Sequence, residues 1–166
     1  ARGRAGVSEV WGTGAPEVGQ VPMPRYVRRV LDESLRLWPT VPAFGRGARA
    51  ETTVGDGYRM AAGDWAIVLV TALHRDSVWG DRPGEFDPDN FLPDRIRARP
   101  AHVYKPFGTG ERACIGRQFA IHEAVLVLGT ILQRFDLRAD PSYNLQVVER
   151  LTMMPTGFRV QPTIRA

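Results

Sequence analysis

Only one cysteine, Cys114, and one lysine, Lys105, occur among the 166 residues. A single thiol excludes an internal disulfide framework and fits a reducing compartment. No run of about 18 apolar residues exists, which excludes a membrane-spanning helix. Ala1-Arg2-Gly3-Arg4 leads into no apolar signal region, so secretion is not indicated and a cytoplasmic location is expected. There is no initiator Met, a hint that the N-terminal part of a longer protein is missing. Histidine is scarce, at 3 residues, and His74 has neither a partner acid nor a second His at metal spacing. A structural role is expected for it.

The rest is ordinary globular material, 43% hydrophobic and 24% charged, with a net charge of +4. Nearly all the positive charge is Arg, spread along the chain without interleaved aromatics, so nucleic-acid binding is not expected. A solvated basic surface that meets an acidic protein partner suits the balance better.

Residues 1–23 are punctuated by Gly12, Gly14, Pro16, Gly19 and Pro22, and predict a loop with little helix. From Pro24 the pattern turns helical. Tyr26, Val27, Val30, Leu31, Ser34, Leu35 and Trp38 share one face, and Pro39 ends it. Glu33 and Arg36, three apart, can pair on this helix. Residues 40–50 predict an extended edge segment, and Thr53 to Met60 a hairpin around Gly55-Asp56-Gly57. The apolar run Trp65–Val70 predicts an inner strand, followed by a short helix through Ala72-Leu73-His74-Arg75-Asp76. The basic, proline-bounded residues 94–101 are expected to be exposed. Gly116 to Gln133 is the strongest helical stretch. Its broad stripe of Phe119, Ala120, Val125, Leu126, Leu128, Ile131 and Leu132 should lie against the core. Phe135 to Arg138 reads as a strand. Tyr143–Met154 and Phe158–Gln161 read as arms of a terminal hairpin around Pro155-Thr156-Gly157.

The chemistry concentrates in Phe107-Gly108-Thr109-Gly110-Glu111-Arg112-Ala113-Cys114-Ile115-Gly116. The cysteine stands at the mouth of the long apolar helix, where the partial positive charge of a helix N-terminus favours an anion. Closely spaced glycines allow a tight loop and close approach of a flat ligand. Arg112 could hold a second anion. A lone Cys is otherwise most often a small buried hydrophobe.

Phe-Gly-x-Gly-x-Arg-x-Cys-x-Gly resembles, in every fixed position, the haem-binding signature of the cytochrome P450 family. Glu33-Ser34-Leu35-Arg36 matches that family's Glu-x-x-Arg motif, and Arg36 stands 78 residues ahead of Cys114. Phe86-Asp87-Pro88-Asp89-Asn90-Phe91 resembles the family's Pro-x-Arg-Phe segment, but with Asn90 where Arg is usual. Asn can hydrogen-bond but brings no charge, so Glu33–Arg36 is expected to be more a pair than a triad. The resemblance covers roughly residues 24–162. It is strongest to bacterial self-sufficient fatty-acid hydroxylases, through Leu35-Arg36-Leu37-Trp38-Pro39-Thr40, Leu73-His74-Arg75-Asp76, Lys105-Pro106-Phe107-Gly108 and Phe119-Ala120-Ile121-His122-Glu123-Ala124.

The resemblance implies a mainly α fold with smaller β-sheets (α+β), the C-terminal portion of the cytochrome P450 fold. Residues 24–166 would form part of one haem-thiolate domain, after a loop or ragged start at 1–23. It implies Cys114 as axial ligand of the iron of haem b, with a thiolate that favours O–O cleavage. Phe107, Gly108, Arg112, Ile115, Gly116 and Ala120 would contact the haem, Arg112 through a propionate. Val41, Pro42, Ala43 and Leu151 would line the pocket of a small apolar substrate. The implied activity is monooxygenation, such as fatty-acid hydroxylation, with electrons from NADPH through the FAD and FMN of a flavin reductase. A truncated, non-catalytic piece and a haem-thiolate peroxygenase or isomerase remain open.

Overall fold

Val7, Trp11, Val21, Val27 and Val125 converge from three helices and the loop between two of them. This core organises the computed structural model, which describes residues 1–165. Helix α1 is Arg2–Trp11, α2 is Arg25–Leu37 and α5 is Arg117–Arg134. Between α2 and α5 lie β1 (Ala43–Gly47), β2 (Thr52–Val54), β3 (Tyr58–Met60), β4 (Trp65–Leu69), α3 (Val70–Leu73) and α4 (Pro93–Ala98). After α5 come β5 (Phe135–Ala139), β6 (Gln146–Glu149), β7 (Met153–Thr156) and β8 (Val160–Ile164). The described strands form four two-stranded antiparallel sheets: β1–β4, β2–β3, β5–β8 and β6–β7. The architecture is helical with small sheets, as expected.

The expected loop over 1–23 is corrected by α1. Gly3 and Gly6 each cost about 1 kcal/mol relative to Ala in a helix interior. Burial outweighs that cost. Val7 and Trp11, four apart, enter the core together. The Trp11 indole donates to the Gln20 carbonyl at 2.9 Å. Its ring lies against Gly129 of α5, where a Cβ would come within 2.2 Å of it. Gln133 donates to the carbonyls of Gly12 and Gly14, both at 2.9 Å. The segment is thereby fastened to α5 from both ends of its turn.

Helix α2 runs as predicted between Pro24 and Trp38, and the Trp38 amide closes it on the Ser34 carbonyl at 2.8 Å. The stripe of α5 is narrower than expected. Ile121, Val125 and Gly129 are buried and Leu128 and Leu132 pack against the core, but Phe119 and Leu126 are exposed. The inner strand expected over Trp65–Val70 is also corrected. Among the described residues strand β4 pairs only with β1, in the register Ala43↔Leu69 to Gly47↔Trp65, and exposes Trp65, Ile67 and Leu69. An apolar run marks a surface that can be covered, but not what covers it.

The terminal pairing differs as well. The hairpin is β6–β7, turning through Arg150–Thr152, while β8 pairs with β5. Pro155-Thr156-Gly157 is not its turn. Two turn-rich stretches compete here, and pairing with β5 takes residues 160–164. The Met153 amide donates to the Thr40 carbonyl at 2.8 Å, so the hairpin tip docks beside the chain leaving α2. Helix α4 is exposed, as expected for its basic stretch.

Candidate functional site

The loop before α5 is shaped by its own backbone. Gly108 and Gly110 have φ near +70°, a conformation that side chains rarely adopt. The Gly108 amide donates to the Lys105 carbonyl at 3.1 Å, and Ala113 to Gly110 at 3.0 Å. The Cys114 amide donates to the Phe107 carbonyl at 2.9 Å, which closes the loop. Cys114 emerges exposed, two residues ahead of the Gly116 N-cap of α5. The Arg117 amide, the first of α5, donates to the Cys114 carbonyl at 3.3 Å.

A cavity of about 390 Å³ opens on the sulfur. It gathers Phe107, Gly108, Arg112, Cys114 and Ala120, and adds Val41 from the chain after α2. Leu35, Phe44, Arg46 and Lys105 complete much of the wall. Ile115 and Gly116 lie outside it, and the Ile115 side chain is fully exposed. Pro42 and Ala43 are also outside the wall, and Leu151 is exposed on the β6–β7 tip. Arg46 gave no signal in the sequence beyond being one arginine of many. Its guanidinium donates to the Thr109 carbonyl at 2.9 Å and stacks over Phe44, 4.4 Å from the ring centroid. It therefore ties β1 to the cysteine loop.

Behind this wall lies a buried ion pair. Glu33 and Arg36 are fully buried. Arg36 donates to both Glu33 carboxylate oxygens at 2.7 Å and to the carbonyls of His74, Pro83 and Glu85 at 2.6–2.9 Å. All its charge is thus spent on acceptors, as burial of a guanidinium requires. Asn90 does join the pair. Its side-chain amide donates to Glu33 Oε1 at 3.2 Å, beside the Asp87 amide at 2.8 Å. The charges form a pair, as expected, and Asn90 joins them as a neutral hydrogen-bonding third member.

His74 is fully buried. Its Nδ1 lies 3.0 Å from the Arg36 carbonyl, and its Nε2 accepts from the Lys105 amide at 2.9 Å. A carbonyl can only accept and an amide can only donate, so the ring is neutral with the proton on Nδ1. Burial and the Arg36 and Arg75 charges push its pKa down to about 4, against the opposing Arg36 carbonyl bond. The ring stacks on Tyr104 at 5.3 Å. The Tyr104 hydroxyl stands 2.9 Å from the Asp32 carbonyl, and burial first and then the Asp32 charge hold its proton on.

The family model for cytochrome P450 matches residues 3–162. The chain belongs to the cytochrome P450 family. It is 47% identical over 148 residues to a bifunctional cytochrome P450/NADPH–P450 reductase of Bacillus cereus, covering 88% of this chain and 14% of that protein. It is 41% identical over 166 residues to the self-sufficient cytochrome P450 monooxygenase CYP505E4 of Penicillium expansum, covering 99% of this chain and 16% of that protein. The crystal structure of a cytochrome P450, CYP102L1, superposes with a TM-score of 0.92 at 42% identity, over 98% of this chain and 37% of that one. The chain therefore spans about one-seventh of these curated relatives and about a third of the solved one. Its relatives are fungal as well as bacterial.

The family's prosthetic group is haem. The residues present fit one face of it. A largely apolar wall meets a single exposed sulfur, and Arg46, Lys105 and Arg112 stand on the same cavity as partners for carboxylates. Among the described residues no group of three or more His, Cys, Asp or Glu could hold a bare metal ion. Among the described residues no helix is long and apolar enough to cross a membrane.

Proposed function

We propose that the protein carrying this chain is a cytoplasmic haem-thiolate monooxygenase that hydroxylates a fatty acid. The observation that carries this reading is the exposed Cys114 sulfur on an apolar cavity, held by a closed backbone loop at a helix start. Bound haem b would supply iron that activates O₂, with one oxygen atom entering a C–H bond and the other leaving as water. Cys114 would bind that iron as thiolate. The backbone loop and α5 would fix where the sulfur stands, and Phe107, on the same cavity, would limit water and charge around it once haem is bound. Arg112 would pair with a haem propionate, while Gly108, Ile115, Gly116 and Ala120 would lie against the macrocycle or its ligand loop. Val41 would face the substrate, with Pro42 and Ala43 backing it from outside the wall and Leu151 reaching in from the β6–β7 tip. The Thr40–Met153 hydrogen bond supports this placement by bringing that tip next to Val41.

The electrons would come from NADPH through a reductase, as the names of the relatives suggest, and the FAD and FMN of that reductase would carry them. The cysteine loop also borders a cavity of about 510 Å³ rimmed by Arg99, Lys105, Arg117 and an Arg28 paired with Asp32. Such a basic rim suits an acidic flavin-bearing partner.

Carbon monoxide binding to the reduced, haem-loaded protein tests the site. A strongly red-shifted Soret band that disappears in Cys114→Ala supports thiolate ligation, and an unshifted band in the wild type refutes it. Fatty-acid hydroxylation driven by NADPH tests the substrate, and absence of any hydroxylated product removes that part of the reading.

A further inference from the structure

A continuous run of hydrogen bonds joins the buried ion pair to the cysteine. Arg36 Nη1 donates to the His74 carbonyl at 2.7 Å, and His74 Nδ1 donates back to the Arg36 carbonyl at 3.0 Å. The Lys105 amide donates to His74 Nε2 at 2.9 Å. The Lys105 carbonyl then receives the Gly108 amide at 3.1 Å, and the Phe107 carbonyl receives Cys114 at 2.9 Å. Pro106 has no N–H. The Lys105 amide is therefore the last backbone donor before Phe107, and its acceptor is a side chain 31 residues away.

The imidazole is held on every side. Tyr104 stacks on it at 5.3 Å, and Trp79 meets it edge-on at 6.2 Å. Trp79 in turn lies under the Arg36 guanidinium at 5.0 Å. A ring so fixed presents its Nε2 lone pair in one direction only. A small loop that carries a metal ligand needs an anchor of this kind, because its own bonds set its shape but not its position.

We propose that His74 is a positioning residue for the Cys114 loop, its Nε2 accepting the Lys105 amide and so setting where the loop starts and where the sulfur stands. The part of this that concerns the sulfur rests on the haem-thiolate reading. The anchoring itself does not. His74 itself lines neither cavity and acts through Lys105.

The two ring nitrogens can be separated by substitution. The side-chain amide of Asn reaches the place of Nδ1 and keeps the bond to Arg36, but leaves the Lys105 amide without an acceptor. Gln reaches the place of Nε2 and can offer its oxygen to Lys105. The test uses the intact haem protein that carries this chain, with two readouts. Hydrogen-exchange mass spectrometry follows the Lys105 amide, and the carbon monoxide difference spectrum follows the share of thiolate-ligated iron. The expected result is a protected Lys105 amide in the wild type, lost in His74→Asn and kept in His74→Gln. Haem affinity should fall by ~10-fold or more in His74→Asn, with part of the red-shifted band replaced by an unshifted one, and His74→Gln should recover the band. Fast exchange at Lys105 in the wild type overturns the proposal, and it needs no variant to fold. A red-shifted band and haem affinity in His74→Asn equal to wild type also overturn it. If the wild type itself lacks the red-shifted band, the haem reading fails, while the exchange of Lys105 still decides the anchoring.

Discussion

Arg36 and His74 clasp each other through both main chain and side chain: Arg36 Nη1 holds the His74 carbonyl at 2.7 Å, and His74 Nδ1 holds the Arg36 carbonyl at 3.0 Å. Neither bond is local, since the residues are 38 apart. The clasp fixes α2 to the turn after α3, and thereby supports both the ion pair and the entry to the cysteine loop.

Breaking the ion pair on one side should be costly. Glu33→Gln keeps the shape but leaves the fully buried Arg36 without its counter-charge. A cost of ~3–5 kcal/mol is expected, because an uncompensated buried charge remains. Urea unfolding measures it, and a midpoint unchanged from wild type contradicts the account.

Asn90 should tolerate loss better than charge. Asn90→Ala removes one hydrogen bond to Glu33 and should cost about 1 kcal/mol. Asn90→Asp places a carboxyl oxygen 3.2 Å from Glu33 Oε1 and should cost more, although Arg95 faces the other oxygen. The gap between the two variants should narrow as pH falls and the introduced carboxyl takes up a proton. Parallel denaturation at pH 7 and pH 5 gives the comparison.

Two glycines make opposite predictions from similar geometry. A Cβ at Gly129 would stand 2.2 Å from the Trp11 ring, and one at Gly45 would stand 2.7 Å from the Trp65 ring. Trp11 is buried in the core and cannot move, whereas Trp65 is 76% exposed and can swing aside. Gly129→Ala should therefore cost ~1–3 kcal/mol and loosen α1, while Gly45→Ala should be close to neutral. Thermal unfolding ranks them, and equal losses would show that α1 is not held as described.

His74 should contribute a pH dependence. Its folded pKa of about 4 lies below the ordinary 6.5, so the unfolded chain binds the proton more readily. Its contribution to stability is complete above pH 6.5 and is lost as pH falls towards 4. A loss on the order of 2 kcal/mol is expected over that window. The facing charges, on Arg36 and Arg75, also lower this pKa and so act with the same sign. The difference between wild type and His74→Gln across pH 4–7 isolates this effect from the carboxylates that titrate nearby, and a constant difference would refute it.

The cysteine loop and α2 were legible because their determinants are local. Gly108, Gly110, Cys114 and Arg112 fall within a few residues, and the Glu33-to-Arg36 spacing follows from the helical period. Helix α1 was not legible, since its glycines argue against it and only the distant Gly129 gives Trp11 a place to pack. Arg46 and His74 were not identified as parts of the site for a related reason. Each reads as an ordinary residue until Thr109 or Lys105 arrives beside it.

By itself the sequence determined the helical identity of α2 and α5, the tight turns of the cysteine loop and the one sulfur that the loop presents. These depend on backbone angles, periodicity and a donor type within a short stretch of chain. The tertiary structure alone decided which strands pair, that Asn90 completes the Glu33 cluster as a neutral partner, and that His74 spans from Arg36 to Lys105. Those outcomes are long-range: burial strips water from the groups involved, and each must then find its hydrogen bond wherever the fold provides one.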